Sequence, residues 1–290
     1  MRICVIFNPA ARGDKARRFR AQLDDIARHA ALKLTQGPGD ARRLAAEAVS
    51  EGFDLVVAAG GDGTVNEVLN GLARAPDGFA RAALGLLPLG TVNVFARELG
   101  LPRRLSDDWA VLQRGRLHTV DVVMVEAGGA QSCFCQLAGA GLDARAIERL
   151  DWPLKKRIGP LAYVWSGLGA LAEKKPQITV RADGVERRGE LVLLGNGRRY
   201  GGNFQLFPAA QLDDGLVDVC VFPRASVFTL LRCAAPLLLR GRLPESAVRR
   251  LRTSRLTLEG ASAFELDGEL AGRLPATVRV EPRRLRVVGP

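Results

Sequence analysis

The chain is poor in several residues that usually carry chemistry. Of its 290 residues only His29 and His118 are histidine, which leaves little for a histidine base, nucleophile or metal cluster. Two tyrosines and three tryptophans are present, and no segment interleaves aromatics with basic residues as a stacking platform for nucleic acid would. No zinc-finger or RNA-recognition signature occurs, so nucleic acid is not an expected partner. The five cysteines (Cys4, Cys133, Cys135, Cys220, Cys233) are odd in number and form no CxxC, which argues against a disulfide framework or a zinc site. Cys4 and Cys220 lie in apparent strands and read as small core residues, Cys133 and Cys135 are expected on one strand face, and the cytoplasm is the expected compartment. Long apolar runs are missing too. Ile3 to Phe7 is too short for a signal peptide. Val227 to Leu239 is broken by Thr229, Arg232 and Pro236 and falls short of the ~20 residues that span a bilayer. Acid is also scarce: 42 Lys+Arg against 31 Asp+Glu give a net charge of +11, which points to an anionic partner such as a nucleotide or an acidic membrane surface.

What the chain does have is glycine in the right places. Leu55-Val56-Val57-Ala58-Ala59 reads as a buried strand and runs into Gly60-Gly61-Asp62-Gly63-Thr64-Val65-Asn66. Val65, Val68, Leu69 and Leu72 then recur at helical spacing. A strand, a glycine turn and a helix N-terminus gather free backbone N–H groups, which bind phosphate without a charged side chain. A plain βα turn would carry the same glycines. Asp62 has the wrong sign for phosphate unless a divalent cation intervenes, so Mg²⁺, a nucleotide and phosphoryl transfer form the first hypothesis. The P-loop is excluded because no lysine precedes Thr64, and the dinucleotide fingerprint because Asn66 stands where its third glycine belongs.

The first third alternates strand and helix. Strands are predicted at Ile3–Phe7, Leu32–Thr35, Leu55–Ala59 and Leu84–Leu87, with helices near Ala16–Ala31, after a cap at Asp40, at Thr64–Arg74 and ending near Gly100. This rhythm predicts a doubly wound parallel sheet with ligands at the C-terminal strand ends. Ser106 is read as the cap of a helix over Asp107–Gln113. From about Thr119 strands dominate: Thr119–Val125, Ser132–Ala138, Gln177–Arg181, Glu190–Leu194, Leu216–Phe222, Arg255–Leu258, Thr277–Val280 and Leu285–Val288. Helices are predicted at Leu142–Leu150, Leu161–Glu173 and Ala225–Arg240. The expected fold is therefore α/β: a nucleotide domain over residues 1–118 and a largely antiparallel, sandwich-like β-rich domain over 119–290, whose last strands can return to the first.

Further segments belong beside the glycine turn: Asn8-Pro9, Pro88-Leu89-Gly90-Thr91-Val92-Asn93, Gly195-Asn196-Gly197, Pro208 with Asp213-Asp214-Gly215-Leu216, and Leu266-Asp267-Gly268-Glu269. Asp-Gly alone is a common hairpin turn. As an ordered set spanning nearly the whole chain, these segments and the Gly60–Glu67 block resemble the diacylglycerol kinase catalytic-domain family, in its soluble bacterial, sphingosine-kinase-like branch.

The resemblance implies an ATP- and Mg²⁺-dependent lipid kinase with its active site in the cleft between the domains. It implies that Gly61, Asp62, Gly63, Thr64, Val65, Asn66 and Glu67 hold the ATP phosphates, with Asn8, Thr35 and Thr91 as further nucleotide contacts. It implies that Asp214 binds Mg²⁺ with the carbonyls of Gln211 and Leu216, and that Glu269 is the general base, with Asp62 also catalytic. A carboxylate in hydrogen-bond reach can take the proton of a poor hydroxyl nucleophile, and Mg²⁺ favours oxygen ligands. Diacylglycerol, a sphingoid base, a ceramide-like lipid and phosphatidylglycerol all fit as substrate. This chain departs from the family at Ala11-Arg12, where serine and glycine are usual, and at Val94, where aspartate is usual. A kinase of a soluble hydroxyl such as the ribose of NAD, and a non-catalytic nucleotide- or lipid-binding regulator, stand as alternatives. Peripheral contact with an anionic inner membrane face is a separate expectation. It is carried by Lys155-Lys156-Arg157 beside Trp152, Leu154 and the Leu161–Leu171 stretch, or by Arg249, Arg250, Arg252 and Arg255. Oligomeric state has no sequence signal.

Overall fold

A computed structural model describes residues 1–11, 14–21, 23–102, 104–114, 116–148, 176–202, 204–240 and 243–290. The predicted helix at Leu161–Glu173 and the cluster around Lys155 lie outside the described residues. The chain divides into two compact units: Met1–Val122 with Cys133–Cys135 and Glu281–Pro290, and Val123–Ser132 with Gln136–Val280.

The first unit is built on β1 (Ile3–Phe7), β2 (Ala31–Leu34), β3 (Leu55–Gly60) and β4 (Ala83–Pro88). They run parallel in the order β2-β1-β3-β4, and Val287 near the C-terminus continues the sheet beside Leu84 of β4. Every residue of β3 and β4 is buried, as expected for strands covered on both faces. On one face Val5, Phe7, Leu55, Val57 and Leu87 pack with Phe19 of α1 (Asp14–Ala21), Ile26 of α2 (Leu23–Ala27) and Val111 and Leu112 of a C-terminal helix of this unit. Phe7 and Phe19 meet with ring centroids 4.7 Å apart, a tilted pair adding about 0.5–1.5 kcal/mol beyond its buried area. On the other face lie α3 (Asp40–Ser50) and α4 (Asp62–Arg74). They approach closely because a Cβ at Gly71 of α4 would drive into the Arg42 carbonyl and lie 2.6 Å from the Ala45 methyl. Short α5 (Gly78–Arg81) and α6 (Val94–Glu98) and then α7 (Leu105–Arg114) complete the helices of this unit. Strands β5 (Leu117–Ala127) and β6 (Ala130–Phe134) form the hairpin that follows.

Two caps come out differently from the sequence reading. Asp40 is the first residue of α3, not its cap: Gly39 takes that place at φ 85°, and the Asp40 carboxylate accepts the Gln36 N–H at 2.8 Å instead. Ser106 lies inside α7, which starts at Leu105. Of the predicted Ala16–Ala31 helix, the described residues are helical as far as Ala27, and it ends short of Ala31 because Ala31 is already paired with Cys4 in the sheet.

In the second unit six strands run antiparallel in the order β14-β13-β10-β7-β16-β17. These are β7 (Leu137–Gly141), β10 (Leu191–Gly195), β13 (Val217–Phe222), β14 (Arg249–Thr253), β16 (Ala263–Leu266) and β17 (Glu269–Arg273). Further antiparallel pairs join β8 (Ile178–Ala182) to β9 (Val185–Gly189) and β15 (Arg255–Glu259) to both β8 and the start of β18 (Ala276–Val288). A two-stranded ribbon, β11 (Arg199–Tyr200) with β12 (Phe204–Gln205), and helices α8 (Leu142–Glu148) and α9 (Val227–Arg240) complete it. The strand predicted over Ser132–Ala138 is two strands, β6 and β7. Those predicted at Thr277–Val280 and Leu285–Val288 are one, β18, whose left-handed Arg283 donates its N–H to buried Asp121 at 2.7 Å. No helix among the described residues is long and apolar enough to cross a membrane.

Candidate active site

In the order β2-β1-β3-β4, the winding of the parallel sheet reverses at β1, which leads to β2 on one side while β3 follows on the other, and open parallel sheets bind ligands outside the strand C-termini at that point. Asn8 follows β1 and Gly60-Gly61 closes β3, so both turns stand there. The Asn8 amide donates to the Thr64 hydroxyl at 3.3 Å, and its carbonyl oxygen accepts the Ala10 N–H at 2.9 Å. Thr35 is placed at the end of β2 by its N–H, which donates to the Phe7 carbonyl at 3.0 Å, and it is buried.

The glycine turn is pressed against its neighbour. The N–H groups of Leu89 and Gly90 donate to the Gly60 carbonyl at 2.9 and 3.2 Å. A Cβ at Gly90 would sit 2.6 Å from Gly61 Cα, and one at Gly60 would collide with Thr64. Glycine is thus required at both turns by close backbone approach. Gly61 caps α4 in extended conformation with no side-chain hydrogen bond, and the first helical bond runs from Val65 N–H to the Gly61 carbonyl. The N–H groups ahead of Val65 have no acceptor within the helix, which is the general anion-binding feature of a helix start.

The polar side chains of this segment turn elsewhere. Asp62 Oδ1 accepts the Val94 N–H at 2.7 Å and so faces the start of α6. Burial pushes its carboxyl above the usual range, while the N–H groups of Val94, Asn93 and Phe95 pull the other way. Both oxygens of Glu67 are spent on the start of α3, accepting the N–H of Gly39 at 2.8 Å and of Ala41 at 3.0 Å. Asn66 donates to the Cys133 carbonyl at 3.2 Å. Asn70, absent from the sequence-predicted set, donates to the same carbonyl at 2.9 Å and accepts the Cys133 N–H at 2.9 Å. Its signal was its spacing, one helical turn beyond Asn66. What remains open at this edge is backbone: the N–H groups at Gly61, Gly63 and Thr64, with exposed Thr91 across the second turn. Val65 is buried and serves packing.

In the second unit, Asp267 and Gly268 form a two-residue turn with Leu266 opposite Glu269, and both turn residues have positive φ, 49° and 88°. Asp267 fixes the hairpin on β7, its Oδ1 accepting the Leu137 N–H at 2.9 Å while its own N–H donates to the Leu137 carbonyl at 2.9 Å. Fully buried Glu265 accepts the Gly268 N–H at 2.7 Å. Glu269 opens β17 at this rigid corner, exposed and beside Leu270, itself 48% exposed.

Asp214 sits in the turn before β13. Its Oδ1 accepts the Leu216 N–H at 3.0 Å and its Oδ2 is held by Arg252. Arg252 also donates through Nε to Asp218 at 3.0 Å, and burial raises the Asp218 carboxyl despite that partner. Gln211 is exposed at the head of the turn. Carboxylate and carbonyl oxygens suit Mg²⁺, but a divalent ion at Asp214 would share the carboxylate with the Arg252 guanidinium already held on Oδ2. Among the described residues no three His, Cys, Asp or Glu side chains gather into a metal site. Arg250 is likewise spent inward, on the Leu206 carbonyl at 2.7 Å and Cys220 Sγ at 2.9 Å. Of the basic edge expected at Arg249, Arg250, Arg252 and Arg255, the two central guanidinium groups make these contacts, and Arg249 and Arg255 are exposed.

Residues 2–125 match the diacylglycerol kinase catalytic domain, and residues 136–289 match the YegS C-terminal NAD kinase beta sandwich-like domain. A protein of Stenotrophomonas maltophilia named "Probable lipid kinase YegS-like" is 35% identical over 88% of this chain and 85% of its own length. The diacylglycerol kinase of Bacillus subtilis is 30% identical over 99% of this chain and 95% of its own. The crystal structure of a diacylglycerol kinase from Bacillus anthracis shares the fold with a TM-score of 0.77 at 24% identity, covering 100% of this chain and 97% of that one. The chain belongs to the diacylglycerol kinase family, with the kinase catalytic domain followed by the YegS-type β domain.

Proposed function

We propose that this enzyme transfers the γ-phosphoryl group of ATP to a hydroxyl of a membrane lipid of the diacylglycerol, sphingoid or phosphatidylglycerol type. The observation that carries the reading is the pair of glycine turns at the β1/β3 switch point. There a helix start offers backbone N–H groups, and its cap residue, Gly61, makes no side-chain hydrogen bond to them.

In this reading Gly61, Gly63 and Thr64 hold the phosphates through backbone N–H groups. Asn8 keeps the Thr64 hydroxyl in place, and Thr35 and Thr91 border the nucleotide. Asp62, Asn66 and Glu67 act at one remove: they fix α6, β6 and α3 against the turn. The lipid hydroxyl gives its proton to the Glu269 carboxylate as its oxygen bonds to the γ-phosphorus, and ADP leaves with the electron pair of the broken P–O bond. The reading requires both units to serve one reaction centre in the cleft between them. Mg²⁺ bound with the ATP phosphates would supply charge neutralisation there. Asp214 with the Gln211 and Leu216 carbonyls would take a further Mg²⁺.

The test is transfer of label from [γ-³²P]ATP to a panel of lipids in mixed micelles, alongside Glu269→Gln. A labelled lipid that is lost in the variant, with ATP binding retained, supports the reading. Full activity of Glu269→Gln removes Glu269 as base. Label on NAD and on no lipid moves the substrate to a soluble hydroxyl. ATP binding without transfer to any acceptor makes the protein a regulator.

A further inference from the structure

We infer that α9 is the membrane-docking element of this protein, and that its partner is an anionic lipid bilayer. The inference rests on the lipid-kinase reading for its purpose but not for its geometry. α9 carries four large apolar side chains that are exposed: Val227 is 51% exposed, Phe228 73%, Leu231 67% and Leu239 84%. At ~100° per residue they fall within an arc of about 120°. Thr229, Pro236 and Leu237 lie on the opposite side, part-buried, and Cys233 there is buried. Cys233 and Leu237 pack into the core with Phe207, Cys220 and Phe222. The helix is therefore anchored by one face and presents a second apolar face outward, where a soluble helix would carry charge.

The charge around this face selects the occupant. Residues 222–244 contain four arginines and no aspartate or glutamate in sequence, the first acid after them being Glu245. Among the described side chains Arg224, Arg232 and Glu245 are exposed, so arginine outnumbers acid here two to one, and Arg232 donates to the neutral Ser246 hydroxyl at 2.8 Å. A second copy of the chain docked face to face would set arginine against arginine, because a two-fold interface repeats the same patch. An anionic bilayer satisfies both features: headgroups meet the arginines, and Phe228, Leu231 and Leu239 enter the acyl boundary. This surface differs from both basic edges expected from sequence.

The experiment is co-sedimentation of the full chain with phosphatidylcholine vesicles, with and without 30% phosphatidylglycerol, for the wild type and for Phe228→Ser/Leu231→Ser. Both positions are exposed, so the variant is expected to fold, and thermal unfolding checks that it does. A Phe228→Trp variant adds a readout that keeps the apolar face, a blue shift of emission on adding anionic vesicles. Expected are binding that needs phosphatidylglycerol and weakens with salt, and roughly tenfold or weaker partitioning of the double variant. Turnover of a short-chain soluble lipid should not change. A double variant that sediments like the wild type overturns the inference. So does binding indifferent to phosphatidylglycerol, or a wild-type dimer that the double variant dissociates without vesicles. Sedimentation needs no turnover, so the two ideas fail separately. A wild type that phosphorylates no lipid sinks the kinase reading, while unaltered vesicle binding by a variant active on the short-chain lipid sinks only the role of α9.

Discussion

Asp62 takes the backbone N–H of Val94, 2.7 Å away, so the carboxylate of the first glycine turn is the anchor of the second. The contact explains why an acid sits where phosphate is expected to bind. Its charge is directed at the start of α6, while in the proposed reading the backbone of the same turn takes the phosphate. The Asp62 carboxyl is raised by burial, which fixes the sign of its pH effect. A raised folded-state pKa favours the folded state below the ordinary aspartate range, and that contribution is lost as pH rises through the shifted value. Asp62→Asn keeps an acceptor for Val94 and removes the buried charge. Its melting temperature at pH 7 is expected to equal or exceed that of the wild type, with the difference closing towards pH 4. A variant destabilised at neutral pH contradicts this.

Val94 is 7% exposed, and only its backbone is used by Asp62. Restoring the family's aspartate by Val94→Asp would set a second carboxylate in apolar surroundings beside the first. Lost apolar burial alone costs about 1.5–3 kcal/mol, and repulsion between the two carboxylates adds to it as pH rises. Urea unfolding at pH 5 and pH 8 should show a penalty larger at pH 8. Equal penalties would mean that the new carboxylate escapes to water.

Glu67 caps a helix from another helix, since both its oxygens serve the start of α3. Glu67→Ala is expected to cost about 0.5–2 kcal/mol, the range for a lost cap. Faster hydrogen exchange should appear in Gly39 to Arg43 before it appears in α4. Nucleotide affinity would fall only through the loosened turn.

Arg252 holds Asp214 and Asp218 together, the place where the family resemblance puts Mg²⁺. If guanidinium and metal compete there, Arg252→Met should acquire a melting temperature that rises with millimolar Mg²⁺ in the absence of nucleotide. The wild type should show little such rise. A wild type already stabilised by Mg²⁺, and unchanged by the substitution, would show that the two cations do not compete.

The backbone of the site was legible in the amino-acid order. Buried parallel strands need unbroken apolar runs, and close turns need glycine, so β1, β3, β4 and the Gly60–Gly63 turn announce themselves locally. The strands that went unread include β9, β14 and β17, with sequences VERRG, RRLRT and ELAGR, and the short buried β16, AFEL, which lies inside its sheet. The first three each end a row of paired strands. An edge strand needs no apolar alternation, and charge there protects it from pairing with other chains, so its identity comes from its neighbour.

Side-chain destinations belong to the tertiary structure. Asp62 meets its partner 32 residues away, Glu67 meets Gly39 28 residues away, and Asp214 meets Arg252 38 residues away. The sequence by itself determined which segments become strand, turn and helix at the C-terminal edge of the parallel sheet, because backbone sterics and apolar periodicity act over a few residues. Only the folded chain decided which carboxylates are used up on helix starts and guanidinium groups. Long-range packing chooses which unpaired N–H or charge comes within hydrogen-bond reach. The same holds for α9, whose sequence is apolar on two sides, and packing alone decided which side is covered.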